Sequence, residues 1–197
     1  MADSRRPNLD TSQTLLNRLR ADEPAAWDFM VRLYTPLLRY WIGRAGVQGP
    51  DAEDVCQEVL RVAATRLANY TRDRPGASFR GWLHGITRNM LLKLFEQRGR
   101  SPEARGGSDA LRRLQEHPES ADPATADAEK NTLYRRALEL VQARFEPKTW
   151  EAFHLTVIDG RSPDEVATRL GISLASVRKY KCRVLHYLRE EIGELID

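Results

Sequence analysis

Cysteine is scarce in this 197-residue chain: Cys56 and Cys182 are its only two, and they stand far apart in different predicted segments. No structural disulfide is expected, and a reducing compartment fits better than an oxidising one. The four histidines, His84, His117, His154 and His186, make no metal-ligand spacing with those cysteines, so no metal is expected. The chain also lacks a phosphate-binding glycine loop and a nucleophile–base pair. Nothing in it points to catalysis or to a cofactor, and it reads as a non-enzyme. No apolar run reaches membrane-spanning length, so no membrane insertion is expected. The opening residues MADSRRPNLD carry no apolar segment behind their arginines and do not read as a secretory signal. Sustained period-two alternation of β-branched residues is missing too, which leaves an all-α reading.

The 41% hydrophobic content supports real cores. The net charge of +3 says little by itself; its distribution says more. Residues 51–60 hold four acids and no base, whereas residues 61–100 hold nine bases and two acids. Residues 101–128 reverse the sign, with six acids and three bases. A second run of bases lies near the C-terminus. Two basic patches separated by an acidic spacer suggest two contacts with a polyanion.

Helical periodicity organises the rest. Residues 1–10 read as a disordered N-terminus, and a first domain spans 11–98. In it Thr11 to Leu19 begins a helix. The next starts at Pro24, with Trp27, Met30, Val31, Tyr34, Leu37, Leu38 and Trp41 at helical spacing and Pro36 inside it. Asp51 to Asn69 follows, burying Val55, Val59 and Val62. Ser78 caps a helix to about Arg98 whose stripe is Phe79, Trp82, Leu83, Ile86, Met90 and Leu94. Residues 99–128 contain three Gly and three Pro and read as a flexible linker, with room for a short helix at Leu111 to Gln115. A second domain, 129–193, begins with an amphipathic helix carrying Leu133, Ala137, Leu140, Val141 and Phe145. Pro147 then starts a helix with Trp150, Phe153 and Val157.

The strongest signal is Ser162 to Arg189, SPDEVATRLGISLASVRKYKCRVLHYLR. Ser162 suits a helix N-cap, Pro163 its first position, and Glu165 completes a capping box. Gly171 falls where the helix must stop in a left-handed conformation, and Ser173 caps the next. From Ser173 to Arg189 there is no acid but five bases. Val166, Leu170, Ile172, Val177 and Tyr180 fill the space between the two helices. This is a helix-turn-helix whose second member is built for a DNA groove. Arg178, Lys179 and Arg183 lie off the apolar stripe and are candidates for phosphates or base edges. Ser173 and Ser176 sit where backbone N–H groups can hold a phosphate. Lys181, four residues after Val177, belongs either to the interface or to the exposed face.

Three further segments complete a pattern: AEDVCQEVLRVAATRL, a basic loop, and FRGWLHGITRNMLLKLFEQRGR. Asp54, Val55, Gln57 and Glu58 in the first, and Phe79, Trp82, Leu83, Ile86, Arg88 and Asn89 in the second, resemble region 2 of bacterial RNA polymerase sigma factors of the extracytoplasmic-function type. The helix-turn-helix looks like their region 4, and the resemblance runs from about Thr11 to Glu191. It implies a cytoplasmic bacterial protein of two small all-α domains, a region 2-like bundle and a region 4-like helix-turn-helix. It implies a dissociable subunit of RNA polymerase. Region 2 binds the clamp helices of the largest core subunit and opens the −10 element; region 4 binds the −35 element as duplex and docks on the flap. An anti-sigma protein is a common partner of such factors.

Residue by residue, the acidic cluster Asp51, Glu53, Asp54 and Glu58 is explained by helix-start chemistry, best at Asp51 and Glu53; the outward face Asp54, Gln57, Glu58 and Arg61 can instead meet a partner, and the resemblance favours core-polymerase contact. Arg72, Arg74, Arg80, Arg88, Lys93 and Arg98 supply positive charge for strand opening, with Asn89 to read a base edge. Among the aromatics Tyr70 is the one least committed to the core, and the loop Thr71–Ser78 is the place expected to capture a base. Two rival readings stay open. A stand-alone helix-turn-helix regulator with an N-terminal sensing or dimerisation domain predicts tight DNA binding without polymerase. A helical adaptor predicts indifference to loss of the basic helix.

Overall fold

Prolines mark where the helices begin. The computed structural model describes residues 14–71, 77–97, 123–189 and 193, and among them there are eight α-helices and no strand. They are α1 (Leu15–Arg20), α2 (Pro24–Arg44), α3 (Pro50–Arg66), α4 (Phe79–Gln97), α5 (Pro123–Gln142), α6 (Pro147–Phe153), α7 (Pro163–Leu170) and α8 (Leu174–Tyr187). Five of the eight open on a proline, whose fixed φ suits a first turn and whose missing N–H costs nothing there. Side chains cap the others: Thr14 Oγ1 accepts from the Asn17 N–H, Ser78 Oγ from Gly81 and Ser173 Oγ from Ser176. The expected start at Thr11, the short helix at Leu111 to Gln115 and most of the linker lie outside the described residues.

The largest buried cluster is built around α2. Met30, Leu33, Tyr34, Leu37, Leu38, Trp41 and Ile42 face Val55 and Val59 of α3 and Phe79, Leu83 and Leu91 of α4, with α1 adding Leu15, Leu16 and Leu19. An aromatic knot closes one end. Phe79 lies 5.5 Å from Tyr34, 5.5 Å from Tyr70 and 5.2 Å from Trp82, centroid to centroid. Tyr70, read from sequence as the least committed aromatic, is therefore only 4% exposed. It follows a 3-10 turn, Leu67–Asn69, that folds it back onto α4, and Arg20 fixes its carbonyl with a 2.8 Å hydrogen bond.

That cluster does not stop at the linker. Leu133, Ala137 and Val141 of α5 join it, as do Trp150, Phe153 and Val184. A second, smaller core holds the helix-turn-helix: Ala152, Leu155, Val166 and Val177, with Leu170, Ile172 and Tyr180 against them. The spacing assigned Val166, Leu170, Ile172, Val177 and Tyr180 to that interface; Ala152 and Leu155 come to it from the preceding helix and turn. Between α6 and α7 the chain makes a π-helical turn, His154–Ile158. Its extra residue rotates the face, so Val157, expected to be buried, is 40% exposed beside Ile158.

Candidate nucleic-acid interface

The helix-turn-helix is built by local chemistry. Ser162 and Glu165 form the reciprocal capping box, at 3.3 Å and 3.2 Å. Gly171 ends α7 at φ 60° and ψ 41°, a left-handed geometry that costs a Cβ-bearing residue about 1–2 kcal/mol. The chain turns through Ile172, and Ser173 starts α8. Ser173 and Ser176 share a 2.9 Å hydroxyl contact. The Ser173 hydroxyl is thus committed to the cap, and the backbone N–H groups beyond it remain the anion-facing feature of that end.

Along α8 the charges separate as the periodicity requires. Val177 and Val184 are buried, and Tyr180 packs half-buried on the small core. Arg178, Lys179 and Arg183 are exposed, while Lys181 is half-buried, between the two positions the sequence left open for it. Cys182 is exposed on the same helix. No acidic residue lies on α8, so its outward face is a stripe of positive charge of the kind that meets a duplex.

The region 2-like half behaves differently. On α3, Asp54, Gln57 and Arg61 are exposed and Glu58 is half-buried. Arg61 donates a fork to Glu58, Nε to Oε2 at 2.8 Å and Nη2 to Oε1 at 2.6 Å. That hydrogen bonding holds the Glu58 carboxyl below the usual carboxylate range and raises the guanidinium of Arg61. The pair neutralises itself, so Asp54 and Gln57 are the groups on this face left for a partner. Arg39 and Glu53 similarly tie α2 to α3 at 2.8 Å. Burial pushes the Cys56 thiol up, consistent with a packing role.

On α4 the structure separates residues that the sequence grouped. Asn89 and Lys93 are exposed and Arg88 is half-buried. Arg80 is buried, 8% exposed, with Nη1 donating to Glu129 of α5 at 2.5 Å. Arg72, Arg74 and Arg98 lie outside the described residues. Sequence reasoning passed over the polar roles of Glu129 and Arg136 and read Trp41 only as a member of an apolar stripe. Trp41 Nε1 donates to the other Glu129 oxygen at 2.7 Å, and Arg136 Nε donates to the Arg32 carbonyl at 3.3 Å. Two signals existed: Glu129 is in register with Leu133 and Ala137 on the apolar stripe, and Pro36 deprives the Arg32 carbonyl of its helical partner.

Eight helices among the described residues, a helix-turn-helix with an exposed cationic second member, and a preceding helical unit with an acidic-polar face define the class: an all-α helix-turn-helix protein. Comparison with known proteins narrows this. Residues 30–101 match the family described as Sigma-70 region 2. The chain is 29% identical to the ECF RNA polymerase sigma factor SigE of Mycolicibacterium smegmatis, over 86% of this chain and 62% of that protein. It is 27% identical to the ferric citrate uptake sigma factor FecI of Escherichia coli, over 76% of this chain and 81% of that one. With the RNA polymerase sigma factor CarQ of Myxococcus xanthus it shares 24% identity, over 91% and 97%. The chain thus spans about three fifths of SigE and most of FecI and CarQ. Residues 30–101 thus carry the Sigma-70 region 2 family, and the chain as a whole is similar to sigma factors of the extracytoplasmic-function type. No helix among the described residues is long and apolar enough to cross a membrane.

Proposed function

We propose that this chain is a promoter-specificity subunit: it binds core RNA polymerase, recognises −10 and −35 elements, and starts transcription of a particular set of genes. The observation that carries the reading is the order of parts. A region 2-type unit is followed in one chain by a helix-turn-helix whose second helix carries exposed bases and no acid. In this reading Asp54 and Gln57, with the Glu58–Arg61 fork beside them, meet the clamp helices of the core enzyme. Arg178, Lys179 and Arg183 read the −35 duplex, with Lys181 at the edge of the contact and the Ser173–Ser176 end of α8 against a phosphate. Asn89, Lys93 and Arg88, joined by Arg72, Arg74, Arg98 and, once uncovered, Arg80, hold the −10 strands. The flap of the core enzyme and an anti-sigma protein are the further partners proposed, with action in the bacterial cytoplasm.

The chain performs no bond chemistry in this scheme; its contribution is positioning. Two weak readers gain effective concentration when core polymerase holds them at the right separation, so binding without polymerase should be poor. The test is run-off transcription: purified protein, sigma-free core polymerase and fragmented DNA from the same source, with sequencing of transcript 5′ ends. Discrete starts preceded by two shared upstream elements are expected. An absence of new starts, with specific DNA fragments retained by the protein alone, would transfer the assignment to a stand-alone regulator.

A further inference from the structure

The charge that joins the two halves is the least expected feature of the molecule. Glu129 is 9% exposed, and both of its carboxylate oxygens are occupied, one by Arg80 of α4 and one by Trp41 of α2. A buried carboxylate without partners is costly; this one is satisfied only while α5 lies against α2 and α4. Seven residues on, two turns along the same face of α5, Arg136 caps the Arg32 carbonyl. Proline at position 36 has no N–H to give that carbonyl, so region 2 presents an acceptor that its own helix cannot fill. Between them Leu133 is 1% exposed. One face of α5 thus matches the α2–α4 surface with an anion for a cation, a donor for an orphan acceptor and an apolar side chain for the core.

From this geometry we propose that α5 is a latch. Docked through Glu129, it holds the free chain closed and keeps Arg80 from DNA, and a backbone phosphate of the opened promoter takes the place of the Glu129 carboxylate when α5 is displaced. The consequence for DNA rests on the sigma-factor reading; the closed state itself does not. Arg80 is withheld while Asp54, Gln57, Arg178, Lys179 and Arg183 stay exposed. The closed chain can therefore meet the core enzyme through α3 and duplex DNA through α8 before the latch opens. A buried ion pair suits such a device because it specifies one arrangement more than it stabilises it, and an incoming anion can replace the acid.

Two fluorophores on the full-length chain test the latch, one on Glu151→Cys of α6 and one on Ala25→Cys, both exposed positions, with Cys56→Ser and Cys182→Ser to leave two labelling sites. Energy transfer in the free protein should report one closed population. Glu129→Ala should raise the ratio of open to closed chains about a hundredfold, because it strands Arg80. Trp41→Phe, which keeps an aromatic side chain but removes the indole N–H and its hydrogen bond to a charged group along with part of the ring, should raise it about tenfold. Circular dichroism confirms that each variant keeps its helices. A free wild-type chain that is already open, or a Glu129→Ala chain as closed as wild type, overturns the latch. Core polymerase with promoter DNA should lower energy transfer in the wild type, and Glu129→Ala should reach half-maximal transcription at a lower protein concentration. If the free-chain shifts occur but no variant supports any transcription start, the closed state stands and the sigma-factor reading fails. If transcription starts while energy transfer stays high, release of α5 is wrong and the sigma-factor reading survives.

Discussion

The two halves of the molecule keep their positive charge in opposite places. In the helix-turn-helix the bases stand on the outside of α8, and the core beneath is small: Ala152, Leu155, Val166 and Val177. In the N-terminal unit the core is large and aromatic, and Arg80 is folded inside it against Glu129. The difference follows from coverage. Helix α8 has its outer side free, so amphipathicity alone sorts its residues. Helix α4 is covered by α3 on one side and by the α2–α5 layer near its start, so a base there needs a partner that arrives from across the linker. The two halves also differ in what holds them: caps and a left-handed glycine at one end of the chain, burial and a shared carboxylate at the other.

The largest contrast should come from the cores. Phe79 is fully buried and touches three aromatic rings, so Phe79→Ala should cost about 3–5 kcal/mol. Val166→Ala in the small core should cost about 2 kcal/mol. Denaturant titration followed by circular dichroism separates them. Equal losses would mean that the two cores unfold as one unit, erasing the contrast drawn above.

Next comes the split between surfaces. Arg178→Ala with Lys179→Ala should weaken −35-dependent DNA binding by about 1–3 kcal/mol per base-reading side chain and leave core-polymerase affinity intact. Asp54→Ala with Gln57→Ala should do the reverse. Binding of labelled core enzyme and of a −35 duplex, measured on both double variants, checks this. Equal loss of both affinities in either variant defeats the separation of surfaces.

A smaller effect tests the local devices of the reader. Ser173→Ala removes the acceptor for the Ser176 N–H and should destabilise the helix-turn-helix by about 1 kcal/mol. Gly171→Ala forces a Cβ into φ 60° and should cost about 1–2 kcal/mol. Neither should move the N-terminal unit. Amide hydrogen exchange resolves the two units, and loss of protection in α2 or α3 would show that the contacts of Trp150, Phe153 and Val184 with the large cluster couple them.

These contrasts mark how far the chain could be read without its structure. The capping box of Ser162 and Glu165, the stop at Gly171, the burial of Val166 and Val177 and the packing of Tyr180 against them were legible because each depends on neighbours within a few positions. The helices of the N-terminal unit were legible for the same reason, to within a turn at their ends. Arg80 was not, because its partner stands 49 residues away, beyond a linker that carries no periodicity. Tyr70 was misjudged because the 3-10 turn before it redirects the chain, and nothing in Leu67–Asn69 announces that. Val157 was misjudged by one extra residue in a π-helical turn, which periodicity counting at 3.6 cannot register.

Acid should expose the exposed ion pairs of the N-terminal unit last and least. Arg18 grips Glu23 through Nε at 2.7 Å and Nη2 at 2.6 Å, fastening the end of α1 to the start of α2. That hydrogen bonding holds the Glu23 carboxyl below its ordinary value, as Arg61 does for Glu58. A carboxylate depressed in the folded state favours folding at pH values above its unfolded pKa of about 4.3, and that contribution is lost as pH falls through the lower, folded value. The melting temperature should therefore be insensitive to Glu23 titration near neutrality and should decline below about pH 4.5, with Glu23→Gln flattening part of the decline. Both carboxylates are solvent-screened, so the flattening should be slight and smaller still at high salt. A Glu23→Gln chain with an unchanged acid slope would show that the α1–α2 junction is held by Leu15, Leu16 and Leu19 alone.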